Sequence, residues 1–360
     1  MGKVNLEFLF YIPNTVETGI RGDDVAGGWA DLDLSAELAT ITEDHGWGGA
    51  LIGTSWGRPD TFTVAATLAA RTRTFKPLMA VRPGYWRPAH FASAAATLDH
   101  LSRGRVLVNI VSGQDNLAAY GDAEADRAAR YGRTREFMHL VRRLWTEENV
   151  TFHGEHFFVE NSTVVPRPWQ EGERRHPTLY FGGASPEAEE VSVTEADVQL
   201  FWGEPLAEIA GRIDRLKALS GKLGREHAPL EFGLRITTVV RDSSEEAWRV
   251  AEDRVAKMAQ GTGVSRLRDH QGSKSIGQRR LVELAQRGDV LDDCLYTAPG
   301  RVGGGGAVTT WLVGSYGEVA AALRKYAELG ITHFILSDAP YKTEAVRIGD
   351  ELLPLLGGAA

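Results

Sequence analysis

Short apolar runs alternate with longer amphipathic segments along almost the whole chain, and this alternation limits the possible folds more than any other feature. Eight of the runs have the length and residue types of β-strands. They are Val4–Ile12, Gly49–Gly53, Pro77–Val81, Arg105–Val111, Thr178–Phe181, Val198–Trp202, Phe232–Val240 and Thr332–Ser337. Helical patterns fall at Leu34–His45, Thr63–Thr72, Ala89–Leu101, Gly132–Trp145, Ser185–Thr194, Leu206–Leu219, Ser243–Met258, Ser315–Leu329 and Thr343–Leu356. Strands separated by helices in this way pair in parallel through right-handed crossovers.

Eight such units favour a closed (β/α)₈ TIM barrel over an open doubly wound sheet, which usually has fewer strands and often a glycine-rich first turn. The first turn here, IPNTVETGIRGDD, contains no G-x-G-x-x-G. The 360 residues fit one barrel with insertions, so we predict a single domain over residues 1–360. Within it, VTFHGEHFFV (150–159) predicts a β-hairpin. Residues 258–311, between the seventh and eighth strands, predict a mobile lid, with an unstructured surface loop as the alternative.

Composition argues against several classes of protein. The net charge is −8 and no run of five or more Lys or Arg occurs, which disfavours nucleic-acid binding. The apolar runs are shorter than the roughly 20 residues of a membrane span, and the N-terminus lacks the order of a secretory signal. The lone Cys294 excludes an intrachain disulfide, and no Cys/His cluster has zinc spacing. We therefore expect a cytoplasmic enzyme without a metal.

The chemistry of a barrel lies at the carboxyl ends of its strands. Here these ends carry arginine, tryptophan, glycine and small hydroxyl residues, without the paired carboxylates of a glycosidase. The YFGGAS segment leads into a helix that Ser185 can cap, an arrangement that suits a phosphate. An ordinary glycine turn with a serine cap is the alternative. Asn109 and Ser112, near the end of the fourth strand, and Tyr131, early in the next helix, add polar groups.

Taken together these segments resemble the bacterial luciferase-like superfamily. The resemblance is carried by ATLDHLSRGR through VNIVSG, by ARYGRTREFMHLVRRLW and by HPTLYFGGASPEA. FWGEP and FGLR are similar, more narrowly, to the FMNH₂-dependent alkanesulfonate monooxygenases. This resemblance implies a two-component enzyme: a separate NAD(P)H-dependent flavin reductase supplies FMNH₂, and with O₂ a sulfonate is cleaved to sulfite and an aldehyde. It also implies a homodimer or homotetramer.

The resemblance also assigns residues. Flavin contacts would fall on Thr54, Asn109, Ser112, Tyr131, Gly183 and Ser185. The candidate catalytic residues are Trp202, Arg235, Thr237 and Arg301, the last as the counterpart of the family's lid arginine. For Trp202 a packing role at the barrel rim is the alternative. Arg235 lies within an apolar strand, where an arginine is costly without a function, and its planar fork suits an oxyanion.

The chain departs from the alkanesulfonate pattern at three positions. Arg58 replaces a cysteine, Thr237 a histidine and Ala339 a tyrosine. Proton transfer must therefore be done differently, by the flavin peroxide itself or by Tyr341, or the substrate is different. The candidate substrate-binding residues are Arg58, Trp86, Arg87 and Tyr341, with Trp56 and Arg82 beside them. The extra arginines indicate a changed anion pocket. Alternatively, they pair with Asp60, Asp115 or Asp338.

Other functions stay open at this stage. One is FMNH₂-dependent oxygenation of a sulfone or another small substrate. A second is oxidoreduction with the deazaflavin F420, which a spectral titration with each cofactor would distinguish. A third is a flavin-binding barrel without catalysis, which the missing histidine and tyrosine permit but the retained Arg235 and Trp202 disfavour.

Overall fold

The computed structural model describes residues 5–14, 33–113, 116–122, 126–169, 174–260, 276–302 and 309–357. Thirteen strands are present in these ranges. They are β1 Glu7–Ile12, β2 Gly49–Ile52, β3 Lys76–Val81, β4 Leu107–Ile110, β5 Val150–His153, β6 Phe158–Ser162, β7 Thr178–Gly182, β8 Val198–Trp202, β9 Glu231–Arg241, β10 Val290–Leu291, β11 Leu295–Tyr296, β12 Trp311–Ser315 and β13 Ile331–Ser337. The order β9-β13-β1-β2-β3-β4-β7-β8, closed by pairing of β8 with β9, is a (β/α)₈ barrel, as predicted.

A helix follows each of the eight barrel strands, and further helices lie between β9 and β13. They are α1 Asp33–Asp44, α2 Thr61–Arg71, α3 Pro88–Ser102, α4 Arg127–Thr146, α5 Pro186–Glu195, α6 Leu206–Leu223, α7 Ser244–Gln260, α8 Ile276–Arg287, α9 Pro299–Val302, α10 Tyr316–Glu328 and α11 Tyr341–Arg347. The predicted last helix is α11 followed by a π-helical turn, Ile348–Leu352, and a 3₁₀ turn, Leu353–Leu356. None of the helices within the described ranges is both long and apolar enough to cross a membrane.

The predicted hairpin is confirmed, since β5 and β6 pair antiparallel. The insertion between the seventh and eighth barrel strands contains α8, α9 and β10–β12, which the sequence pattern did not indicate. β10 and β11 are two residues long, too short to produce a periodic signal.

The insertion is joined to the barrel through the C-terminal half of β9. From Phe232 to Thr237 β9 pairs with β13, and from Thr237 to Arg241 it pairs in parallel with β12. β11 and β10 then add antiparallel strands to β12. Buried side chains of β9, β11, β12 and α7, among them Tyr296 and Trp311, form a core there. Whether the insertion acts as a lid stays a prediction.

The chain divides into two compact units. The first comprises Met1–Ala50, Leu200–Arg215 and Glu231–Ala360, and the second comprises Leu51–Gln199 and Leu216–Leu230. In the second unit α3 and α4 pack through aromatic side chains: the ring centroid of Phe91 lies 5.4 Å from that of Phe137 and 6.2 Å from that of Trp145. All three are fully buried, which fixes the position of α4.

Candidate active site

In the first unit the strand register decides which way Arg235 points. Arg235 of β9 is level with Ile335 of β13, and Ile335 is level with Leu9 of β1. The neighbouring Phe10 points to the helices, because its ring packs edge-on against Trp47 at 5.0 Å and the Trp47 indole donates a hydrogen bond to α11. Since side chains alternate along a strand, Leu9, Ile335 and Arg235 face away from the helices, toward the barrel interior.

The Arg235 side chain is further directed by Tyr11. The guanidinium carbon lies 4.2 Å from the centroid of the Tyr11 ring. Tyr11 is two residues beyond Leu9 on β1, so the guanidinium extends toward the carboxyl ends of the strands. The ring of Tyr341, the first residue of α11, is 6.4 Å from the Tyr11 ring. The structure thus brings together Arg235 and Tyr341, which were predicted, with Tyr11, which was not.

Sequence reasoning missed Tyr11 because it lies in the apolar run EFLFYI, where it resembles an ordinary core residue. The neighbour that distinguishes it, Arg235, is far away in the chain. Only the strand order places β1 two positions from β9.

Hydroxyl groups occupy the next level above Arg235. Thr237 lies on the same face of β9 and is level with Ser337 of β13; both are buried. The Thr237 backbone N–H donates to Thr309 Oγ1 at 3.1 Å, and the two threonine hydroxyl oxygens are 3.3 Å apart. Thr237 therefore adds a neutral hydroxyl beside the arginine.

Trp202 ends β8 and is half-buried. A Cβ built on Gly277, at the start of α8, would lie 3.0 Å from a carbon of the Trp202 ring, so the indole packs against this helix. The following backbone is fixed by two hydroxyl donors. Thr310 donates to the carbonyl of Gly203 and Tyr326 to that of Glu204, both at 2.7 Å.

Glu204, also from the FWGEP motif, connects α6 with α8. Its buried carboxylate accepts from Arg212 of α6 at 2.5 Å and lies 3.2 Å from Arg280 of α8. Burial raises the pKa of Glu204, and the two guanidinium groups oppose this. The motif therefore anchors α8 next to Trp202.

Arg301, the predicted lid arginine, lies in α9. Its guanidinium donates to the carbonyl of Ala285 and forms an ion pair with Asp289. These contacts lie within the insertion, and about two fifths of the side chain is exposed. The glycine run that follows, residues 303–306, lies outside the described residues.

In the second unit two of the predicted flavin contacts, Ser112 and Tyr131, lie at the start of α4. Ser112 Oγ, after β4, is 2.6 Å from Thr134 Oγ1, whose hydroxyl also donates to the carbonyl of Arg130 at 2.8 Å. One residue after Arg130, the ring of Tyr131 packs edge-on against Phe181 of β7, with centroids 6.4 Å apart. Tyr131 thus lies near the YFGGAS turn and Ser112 one turn away.

The turn itself is closely packed. Gly183 has no room for a side chain, because a Cβ there would collide with the Cβ of Ala188. Ser185 caps α5 by accepting from the Ala188 N–H at 3.2 Å. The Glu187 carboxylate accepts hydrogen bonds from the Glu187 backbone N–H and from the Ser185 hydroxyl, and both lower its pKa. A carboxylate therefore already uses part of the hydrogen-bonding capacity of this helix terminus.

Asn109 and Thr54 occupy neighbouring strand ends. Asn109 is half-buried on β4, level with Ala80 of β3 and Tyr180 of β7. Thr54 is half-buried just after β2.

The remaining predicted residues of this unit are more dispersed. Trp86 packs on Phe62, His90 and Phe91, which indicates a packing role. Arg87 is exposed at the N-cap of α3, and Arg58 is half-buried in the turn after β2.

Two of the carboxylates proposed as partners have other contacts. Asp338 forms a buried ion pair with Arg254, and Asp60 accepts from the backbone N–H of Thr63 at 2.8 Å as the cap of α2. Asp115 lies outside the described residues. Arg82 is buried and donates to the carbonyl of Gly113 at 2.7 Å.

A pocket opens beside this arginine. Arg82, Ser112, Arg130, Arg133 and Thr134 line it, together with Asp122. Arg133 and Asp122 form a bidentate ion pair at 2.7 and 2.8 Å. Across the described ranges, no group of three or more His, Cys, Asp or Glu side chains is arranged to hold a metal ion.

Comparison with known proteins identifies the family. The profile of the luciferase-like monooxygenases matches residues 6–333. The chain belongs to this family. Some structural relatives of this luciferase-like monooxygenase are described with FMN and others with F420, and at their low identities they show the fold alone.

Three solved structures illustrate the range of these relatives. A riboflavin lyase with modified FMN and riboflavin has a TM-score of 0.79 and 20% identity, covering 99% of this chain and 93% of its own. EDTA monooxygenase from Chelativorans sp. BNC1 has a TM-score of 0.80 and 16% identity; the match covers 98% of this chain and 93% of the EDTA monooxygenase. An F420-dependent secondary alcohol dehydrogenase has a TM-score of 0.69 and 15% identity; the match covers 98% of this chain and 99% of the dehydrogenase.

Proposed function

We propose that this luciferase-like monooxygenase is the oxygenase of a two-component system that cleaves the C–S bond of a small organosulfonate. The overall reaction balances as sulfonate, FMNH₂ and O₂ giving aldehyde, bisulfite, FMN and water. The observation that carries the proposal is Arg235, whose guanidinium points toward the carboxyl ends of the barrel strands from the inner face of the sheet. A half-buried cation in that position suits the anionic group of a substrate.

Reduced FMN would supply the reactivity toward O₂. Its phosphate fits the second unit, where the Ser112 hydroxyl, the Tyr131 ring and the capped start of α5 lie around the ends of β4 and β7. Hydroxyl donors and a helix N-terminus are suitable ligands for a phosphate. Thr54, Asn109 and Gly183 would complete the contacts to the flavin.

The residues of the first unit would bind and orient the sulfonate. Arg235 would hold the anionic group, with the Thr237 hydroxyl beside it. Tyr341, whose ring adjoins that of Tyr11, offers a phenol for proton transfer in place of the family histidine and tyrosine. Trp202, packed on Gly277, would contribute an apolar wall that excludes water.

Two further components belong to the proposal. A separate NAD(P)H-dependent reductase would supply FMNH₂, and the chain would assemble as a homodimer or homotetramer. Analytical ultracentrifugation of the purified chain would test the assembly.

The decisive experiment is aerobic turnover with FMNH₂ from a generic flavin reductase. Short and long alkanesulfonates, dimethyl sulfone, riboflavin and EDTA would be offered, and sulfite or other products measured. The last two are included because they are named for structural relatives. We expect sulfite from at least one alkanesulfonate.

An arginine variant and a matched control sharpen this test. Arg235→Met should lower kcat/KM for the sulfonate roughly 10- to 150-fold, since a charge-assisted contact contributes roughly 1.5–3 kcal/mol. Arg249→Gln, on the exposed surface of α7, should leave the rate unchanged. No sulfur product with any sulfonate, despite tight flavin binding, would contradict C–S cleavage. Turnover only with reduced F420 would indicate the alternative cofactor.

A further inference from the structure

We infer that Tyr11 is a positioning residue for Arg235: its ring holds the guanidinium toward the carboxyl ends of the strands, where the N–H groups can bind an oxyanion. This inference rests on the proposed function, because the oxyanion is the anionic group of the substrate. It identifies a determinant of substrate recognition on β1, a strand that contributes none of the residues assigned above.

Arg235 and Tyr11 are not neighbours in the barrel, so their contact requires an extended arginine side chain. β1 and β9 are separated by β13, so their backbones are about 10 Å apart, and Tyr11 lies about 7 Å further along the strand direction than the level of Arg235. The guanidinium carbon nevertheless lies 4.2 Å from the ring centroid. The arginine side chain must therefore extend diagonally across Ile335, and the tyrosine ring is where it ends.

The ring is itself held firmly. Tyr11 is 9% exposed, and the ring of Tyr341 lies 6.4 Å from it. Tyr341 in turn packs edge-on against Phe10, which contacts Trp47. A long arginine side chain has many rotamers, and a rigid aromatic surface of negative potential selects those in which the cation lies above it.

This arrangement has a consequence for binding. With the Tyr11 ring over the guanidinium, an oxyanion would bind through the N–H groups at the edge of the planar cation. A lysine could not reproduce this contact, because its ammonium is a point charge without a fork. Loss of the ring should therefore weaken oxyanion binding although the charge remains.

The test uses the full-length protein with FMNH₂ bound under anaerobic conditions. Isothermal titration with 1-octanesulfonate and with inorganic sulfate measures anion affinity without turnover. Tyr11→Met removes the ring but fills its space, and Tyr11→Phe keeps the ring without the phenol. Phe8→Met is the matched control, since Phe8 is a buried aromatic of the same strand that stacks on Phe334 at 5.4 Å. Arg235→Met is the reference for loss of the cation.

We expect Tyr11→Met to weaken binding of both anions about tenfold and to raise KM more than it lowers kcat. Tyr11→Phe and Phe8→Met should stay within about twofold of wild type. If Arg235→Met abolishes binding but Tyr11→Met does not weaken it, the positioning role is wrong and the proposed function stands. If Arg235→Met has no effect, or the wild type binds neither anion, both are wrong. Equal losses of anion affinity in Tyr11→Met and Phe8→Met would show that Tyr11 acts only through packing.

Discussion

At the scale of single residues, Glu187 determines how well the start of α5 can accept an anion. The carboxylate lies in the first turn, and hydrogen bonds from its own N–H and from Ser185 lower its pKa. Arg127 approaches it at 3.9 Å. A phosphate bound at this helix terminus would meet a negative charge that already uses the Ser185 hydroxyl.

We therefore predict that Glu187→Gln tightens FMN binding. A charge at a helix terminus contributes roughly 0.3–1 kcal/mol, so the dissociation constant should fall about two- to fivefold at low ionic strength. Fluorescence titration with FMN measures this. Riboflavin, which lacks the phosphate, should bind equally to both proteins, and Glu190→Gln on the exposed side of α5 is the matched control. A parallel change for riboflavin would show that the phosphate does not bind there.

At the scale of secondary structure elements, α8 is attached to α6 by two sets of ion pairs of different character. In the first, Glu204 and Arg212 are buried, each 4% exposed, and Arg280 is half-buried. Glu208 and Arg287 form the second pair, in which the side chains are 33% and 53% exposed. Buried pairs are costly to break, whereas exposed pairs contribute little.

These two pairs give an internal comparison. Glu204→Ala leaves Arg212 buried without its carboxylate, and we predict a loss of about 3 kcal/mol in the free energy of unfolding. Glu208→Ala should cost less than about 1 kcal/mol. Urea denaturation measures both, and hydrogen exchange over residues 276–287 should increase in the first variant only. Similar losses in the two variants would mean that Glu204 does not anchor α8.

At the scale of the whole molecule, the charges at the amino ends of the strands make stability depend on pH. His176, before β7, is neutral: its Nε2 accepts from Arg142 at 2.7 Å and its Nδ1–H donates to the carbonyl of Pro177 at 3.0 Å. Burial lowers the pKa of His176 to about 4, from 6.5, and Arg142 adds to this effect. Protonation would place a second donor against the Arg142 guanidinium.

The sign of the pH dependence follows from this shift. The unfolded chain binds a proton at His176 below pH 6.5 and the folded chain only near pH 4, so stability falls as the pH decreases between these values. We predict that the wild type loses about 2 kcal/mol more than His176→Gln between pH 7 and pH 5, at about 1.4 kcal/mol per pKa unit. Urea denaturation at both values measures the difference. His153→Gln, at an exposed histidine of the hairpin, should behave like the wild type.

The local sequence was sufficient for the architecture. Apolar runs of strand length separated by amphipathic helices require parallel pairing, and all eight predicted barrel strands are present within a few residues of their predicted limits. The GGAS turn could also be read locally, since a glycine without room for Cβ and a serine cap are properties of one short segment. The strands β10 and β11 could not, because each is two residues long and too short to produce a periodic signal.

The surroundings of the candidate site were decided by tertiary structure. The sequence alone places Arg235 within an apolar strand, and this position already indicates a special role. That its guanidinium lies over Tyr11, and that Thr237 is level with Ser337, depends on the register of β1, β13 and β9. Strand register is set by packing and backbone hydrogen bonds between segments from opposite ends of the chain, and no local pattern encodes it.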